Sequence, residues 1–221
     1  MHHYVDLSHT LYDGLITYKG VPGPVICDFL SREASRALYE GGTEFHIPRI
    51  DMVANSGTYI DCPFHRYADG KDLSEVSLDR FADLPAVVVR APYRDRLEVG
   101  VDKFHGIDVA GKAVLIHTGW SEHWSTSTYL NDHPFLTQQA AAYLRDQGAH
   151  LVGIDSHNID DTRRRNNRPV HTILLRNDIL IVEHLTGLEQ LPDDQFLFSA
   201  IPPKVRGMGT FPVRAFARLT Y

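Results

Sequence analysis

The fold class this sequence predicts is an α/β domain built on one curved, mixed, barrel-like β-sheet flanked by helices. Three observations carry it. Strand-like apolar runs outnumber helical ones, the clearest helix lies between two buried strands, and 221 residues with 43% apolar and 23% charged side chains suit one sizeable core. No internal repeat, low-complexity segment or linker divides the chain, so residues 1–221 read as a single domain.

In chain order, "YVDLSHTL" (4–11) and "FHIPRIDMVA" (45–54) alternate as half-buried strands do, with Pro48 placing the second near an edge. "PAVVVRAPY" (85–93) and "KAVLIHTGW" (112–120) are short, rich in β-branched residues and bounded by turn formers, the pattern of buried strands. In "LTQQAAAYLRDQGA" (136–149) Thr137 is placed to cap a helix, Ala140, Ala141 and Leu144 share one face, and Gly148 ends it. "HLVGIDS" (150–156) completes a strand–helix–strand unit. "DILIVEHL" (178–185) is a further strand, and "FPVRAFARLTY" (211–221) closes the chain as the last.

Composition excludes several classes of function. A net charge of −6 with no basic stripe argues against nucleic acid as a partner. No apolar run approaches 18 residues, so no membrane span is expected. "MHHYVDLSHTL" lacks the apolar stretch of a signal peptide, and two cysteines, Cys27 and Cys62, make no disulfide framework. Reduced thiols in the cytoplasm are the expectation.

The chemistry concentrates in "NSGTYIDCPFHRYADG", residues 55–70. Asp61 and His65 lie four apart around Pro63, after the turn Ser56-Gly57-Thr58, whose glycine lets backbone approach a ligand closely. A carboxylate beside an imidazole serves two chemistries: it holds a divalent ion, or it orients a histidine that moves protons. Cys62 neighbours His65, but strand alternation turns its side chain away from that of Asp61, which disfavours a nucleophile. Far downstream, "PVHTILLRNDILIVEHL" carries His171 and Glu183; Glu183 ends an apolar strand, where its carboxylate needs a partner. His184 should face the other way if the strand persists. The charged stretch "DDTRRRNNRP" (160–169) reads either as a solvated loop or as an arginine-bearing loop, with Arg163, Arg164 and Arg165, that meets an anionic substrate or a neighbouring subunit.

Taken together these segments resemble the cyclase-like metal hydrolases, the group containing bacterial kynurenine formamidase and isatin hydrolase. Their hallmark H-x-G-T-H-x-D-x-P-x-H lies over Asn55 to His65, and "DLSHTL", "VLIHTGW", "LVGIDSHNID", "HTILLRNDILIVEHL" and "FPVRAFA" follow in the expected order along nearly the whole chain. The resemblance implies a curved mixed-sheet fold, a homodimer or homotetramer, no organic cofactor, and hydrolysis of an amide, lactam or related cyclic bond of a small molecule. By the same resemblance His65 is the proton shuttle, Asp61, His171 and Glu183 are metal ligands, and Tyr18 contacts substrate. Asn55 and Trp120 are further candidates for the substrate pocket.

Two positions depart from the family pattern: Asn55 and Tyr59 stand where it has metal-binding histidines. An amide oxygen is a poor substitute for imidazole, and a phenol of pKa about 10 ligates weakly unless deprotonated. A reduced site is therefore expected, holding one divalent ion, zinc or manganese, on Asp61, His171 and Glu183. The alternatives are a metal-independent cyclase, isomerase or dehydratase, with Asp61 orienting His65 and Tyr59 donating to an oxyanion, and a relative that binds a small ligand without turnover.

Overall fold

The computed structural model describes residues 2–163 and 167–220. Its elements are β1 (His2–Asp6), β2 (Val25–Leu30), α1 (Arg32–Arg36), β3 (Ile47–Asp51), β4 (Tyr59–Asp61), β5 (Leu84–Arg90), β6 (Glu98–Val99), β7 (Ala113–His117), β8 (Phe135–Leu136), α2 (Gln138–Asp146), β9 (Leu151–Ile154), α3 (Pro169–Arg176), β10 (Leu180–Glu183), β11 (Phe196–Ser199), β12 (Thr210–Pro212) and β13 (Phe216–Thr220). Nine strands form one sheet in the order β1-β13-β11-β5-β7-β9-β10-β4-β12. Its centre, β5-β7-β9-β10, is parallel, and antiparallel strands flank it on both sides.

Connectivity forces this sheet to curl. β12 lies at one edge and β13 next to the other, yet residues 213–215 alone join them. In a flat sheet seven strand spacings would separate the two by about 34 Å, whereas so short a link reaches about 14 Å at most. Bending brings the edges together: Leu7 N–H donates to Ala215 O (2.9 Å), Val213 N–H to Thr58 O (2.9 Å), and Ser8 bridges to Leu185. The closing segment is thus two strands, one at an edge and one beside the opposite edge, where its sequence reads as one; Pro212 ends the first of them.

The curl divides the core in two. Inside it lie Leu7, Ile60, Leu115, Val182, Phe198 and Ala217; between the outer face and helices α2 and α3 lie Val114, Ile116, Leu144, Val152, Leu174 and Ile181. Parallel strands covered on both faces are apolar throughout, as in β7, where Leu115 points inward and Val114 and Ile116 point toward the helices. Helix α2 begins where its sequence predicts: Thr137 Oγ1 accepts from Ala140 N–H (3.2 Å), a cap worth about 1 kcal/mol. Among the described residues no helix is long and apolar enough to cross a membrane.

One expectation fails. The alternation in residues 45–54 predicts a half-buried strand, but β3 pairs only with β2, in a two-stranded ribbon outside the main sheet. Every residue of β3 is exposed. Phe29 is 76% exposed and Leu38 66%, with Phe45, Ile47 and Ile50 beside them. The alternation is real, but no second layer covers either face of the ribbon.

Candidate active site

The site grows from β4. Strand alternation puts Tyr59 and Asp61 on its outer face and Ile60 and Cys62 in the inner core. Register then sets their neighbours: Tyr59 lies opposite Glu183 of β10, and Asp61 lies opposite Thr210 of β12. The turn ahead of the strand needs Gly57, which has φ +65° and donates its N–H to Thr17 Oγ1 (2.9 Å). After it, Pro63–His65 form one 3-10 turn that carries His65 back over Asp61. The backbone of Gly209 presses against this turn, where a Cβ would run into the main-chain nitrogen and Cα of His65.

Helix α3 supplies His171. The Asp160 carboxylate caps this helix, accepting from Val170 N–H (2.8 Å) and His171 N–H (3.0 Å), and it also holds His171 Nδ1 at 2.6 Å. With Nδ1 fixed, the ring turns Nε2 toward Asp61 Oδ2 (3.6 Å) and Glu183 Oε1 (3.7 Å). Burial alone disfavours charge on His171, but the hydrogen bond to Asp160 and the nearby Asp61 and Glu183 carboxylates outweigh it and push its pKa up to about 10.

Asp61 and Glu183 are both fully buried. Glu183 accepts from Ile159 N–H at Oε1 (2.7 Å) and from the Tyr59 hydroxyl at Oε2, with Tyr18 Oη 3.1 Å from the same oxygen. Burial, helped by the Asp61 charge, raises the Glu183 carboxyl above its ordinary value. Asp61 Oδ1 accepts from the Thr210 hydroxyl, and Thr210 Oγ1 is 2.7 Å from His65 Nδ1. Asp61 Oδ2 is buried without a hydrogen-bond partner among the described residues.

That hydroxyl determines which nitrogen of His65 works. Thr210 has one proton, and the carboxylate, which only accepts, takes it. Thr210 must then accept from His65 Nδ1–H, leaving the Nε2 lone pair as the basic position.

A cavity of about 350 Å³ opens over this cluster, lined by Tyr18, Val21, Val53, Asn55, Tyr59, His65, Arg66, Asn158, Arg168 and His171. The sequence-nominated Tyr18, Asn55, Tyr59, His65 and His171 therefore converge on one cavity, with Asp61 and Glu183 beneath it. Trp120 does not join them. It is buried elsewhere, donating its indole N–H to Tyr129 O (3.2 Å) and packing on Tyr93. A larger cavity of about 590 Å³, lined by Arg90, Tyr93, His117 and Glu122, lies at the ends of β5 and β7 and includes no member of the Asp61–His65–His171 cluster. The chemistry belongs to the smaller one.

Other expectations change in detail. Tyr59 cannot serve an oxyanion, because its only proton is committed to Glu183. Burial and the Glu183 charge hold the Tyr59 and Tyr18 hydroxyls well above the ordinary phenol pKa. Cys62 sits in the inner core, where burial pushes its thiol up to about 12 and removes it as a nucleophile. His184 does not face away, because the strand ends at Glu183. With φ +58° its ring returns to Tyr129 Oη (2.8 Å) and Tyr18 Oη (3.3 Å). Arg163 pairs with Asp161 (2.8 Å) and does not line the cavity; Arg164 and Arg165 lie outside the described residues.

The donor set fits a divalent cation. Asp61, His65 and His171 offer ligand atoms within 4.8 Å of one another, and the unpartnered Asp61 Oδ2 points into the gap. The separations of 3.6 and 3.7 Å from His171 Nε2 are close to the ~3.4 Å expected between tetrahedral donors about 2.1 Å from one ion. Asp160 behind His171 is the outer-shell carboxylate that such ligands use.

Comparison with known proteins places the chain in a family. Residues 5–161 match the family model described as "Putative cyclase". The chain is 31% identical over 176 residues to a kynurenine formamidase of Geobacillus thermodenitrificans, covering 78% of this chain and 80% of that protein. It is 26% identical over 216 residues to the kynurenine formamidase of Bacillus cytotoxicus, covering 97% of each. Among solved structures, isatin hydrolase A from Ralstonia solanacearum superposes with a TM-score of 0.83 at 23% identity, over 99% of this chain and 92% of that one. A structure titled as a potential metal-dependent hydrolase with cyclase activity gives 0.81 at 23%, over the whole of both chains. The curled nine-stranded sheet, the order of the motifs and these matches lead to one assignment: the chain belongs to the cyclase family of hydrolases.

Proposed function

We propose that this chain hydrolyses an amide, lactam or related cyclic carbonyl bond of a small molecule. The observation that carries the reading is the buried Asp61 Oδ2, without a hydrogen-bond partner among the described residues and 3.6 Å from His171 Nε2, beneath a cavity that also holds His65. Asp61, His171 and Glu183 would hold zinc or manganese, which when bound supplies a Lewis acid and makes water more acidic. The names of the similar proteins, kynurenine formamidase and isatin hydrolase, support carbonyl hydrolysis.

The chain's own groups divide the remaining work. His65 Nε2 takes the proton as water oxygen bonds to the carbonyl carbon. The same nitrogen returns that proton to the leaving nitrogen as the C–N bond breaks, so one water is consumed and one acid and one amine are formed. Thr210 and Asp61 hold His65 in the tautomer this needs. Tyr18, Val21 and Val53 provide an apolar wall for a flat substrate body. The metal-independent reading loses its oxyanion donor, since the Tyr59 proton is spent on Glu183.

The test is turnover. Protein stripped of metal and reloaded with zinc or manganese should release formate from formanilide, or open isatin, at least about 10³ times faster than the stripped protein. Absence of hydrolysis of formamides, lactams and activated esters after reloading would sink the reading in favour of ligand binding.

A homodimer or homotetramer is proposed with it, resting on the apolar ribbon β2–β3. A lone two-stranded ribbon is marginal in water, and exposed apolar patches of this kind mark interfaces. The Phe29→Asp/Ile50→Asp double variant is expected to run as a monomer by light scattering where the wild type runs as a dimer or larger. A monomeric wild type would overturn this.

A further inference from the structure

We infer that Arg66 and Arg168 make the mouth of this cavity a carboxylate-binding subsite, so that the enzyme selects anionic substrates over neutral ones. The inference rests on the hydrolase reading for its substrate and on the cavity lining for its chemistry. Among the described residues two arginines line the cavity and no aspartate or glutamate does, because Asp61 and Glu183 are fully buried beneath it. They come from two elements that already carry reactive groups: Arg66 directly follows His65, and Arg168 precedes α3, three residues before His171.

The Arg66 side chain makes no hydrogen bond or ion pair with a described residue; only its backbone N–H is bonded, to Pro63 O (3.1 Å). By contrast Arg90 holds Asp193, Arg94 holds Glu122, Arg214 holds Asp6 and Arg218 holds Asp83. Arg168 is held at the mouth through its guanidinium, which donates to Asn167 O (3.0 Å) and reaches Asp161 O (3.5 Å). A guanidinium offers five donors in a planar fork that matches a carboxylate, and it stays charged at every working pH. Apart from Tyr59, His65 and His171 of the cluster itself, the rest of the lining is apolar or neutral: Tyr18, Val21, Val53, Asn55 and Asn158. An aromatic body bearing one carboxylate matches this arrangement, with its amide toward His65. An ammonium has no acidic partner at the mouth.

The experiment compares N-formylanthranilate with formanilide, and separately titrates benzoate and benzylamine into the isolated protein by calorimetry. The wild type should prefer the carboxylate substrate by about tenfold or more in kcat/KM. The Arg66→Ala and Arg168→Ala variants should each reduce that preference while kcat/KM for formanilide stays within about threefold. Benzoate affinity should fall about tenfold in each variant and benzylamine should not bind. Arg66→Lys should recover only part of the preference, since an ammonium lacks the fork.

Equal use of both amides by the wild type would overturn the subsite and leave the hydrolase reading standing. Turnover of neither amide, with benzoate binding that depends on both arginines, would do the reverse. Benzoate affinity unchanged in both variants overturns the subsite whatever the turnover.

Discussion

Asp61→Asn should empty the site of metal and lower formanilide turnover by about 10³ or more. The substitution keeps shape and volume but removes the charge that Asp61 Oδ2 holds in a fully buried position, next to His171 Nε2 and without a hydrogen-bond donor of its own. A lone buried carboxylate oxygen is costly unless a cation faces it. In the metal-free wild type that role falls to His171, pushed up to about 10 by its surroundings. Ligand binding stabilises the folded state by mass action, so zinc should raise the wild-type Tm and leave that of Asp61→Asn unchanged. Elemental analysis after dialysis checks the stoichiometry, and circular dichroism checks that the variant is folded. A variant that keeps one equivalent of metal and its activity would remove Asp61 from the ligand set.

His65→Gln is expected to cost about 10² to 10⁴ in kcat, the range of a lost general acid–base group, with metal content unchanged. The sharper test is Thr210→Val, because Thr210 is a positioning residue. Its hydroxyl donates to Asp61 and accepts from His65, and valine keeps the shape while deleting both bonds. We expect kcat to fall about 10- to 100-fold with KM nearly constant, since the tautomer of His65 is no longer set. Thr210→Ser should restore most of the rate. Wild-type kcat in Thr210→Val would show that His65 is oriented by something else.

Much of this site is legible in the amino-acid sequence because its parts sit on strongly patterned segments. The apolar runs that form β5, β7, β9 and β10 are buried on both faces, so they are short, β-branched and easy to read. Helix α2 has its cap residue at Thr137 and a small-residue face. Asp61 and His65 lie in one motif, and His171 and Glu183 flank one apolar run, so sequence spacing and family resemblance locate all four.

The less legible pieces are those that only register and closure bring in. Thr210 reaches Asp61 because β12 pairs with β4 across 149 residues of chain, and nothing local distinguishes that threonine from any other. Asp160 shows in the sequence only as one charge among several in a loop; its role depends on α3 starting beside it. Arg66 and Arg168 look like any solvated charges along the chain, and only the cavity between them gives them a shared role. Trp120 misleads for the opposite reason, being a large aromatic that packs within the fold, away from the cavity. The ribbon β2–β3 misleads because alternation reports a pattern of side chains and not what covers them.

The contact at Gly209 bears on how this enzyme could acquire new substrates. The wall of the cavity is made of side chains, and Val21, Val53, Asn55 and Arg66 there have no side-chain hydrogen bond to a described residue that an exchange would break. The place of His65, by contrast, is set by main chain lying on main chain, with Cys62 N–H bonded to Gly209 O (2.8 Å). Every missense change at residue 209 introduces a Cβ into that contact, and no rotamer can move it away. Evolutionary drift in specificity is therefore open along the rim and closed at this one position, where even the smallest step displaces His65.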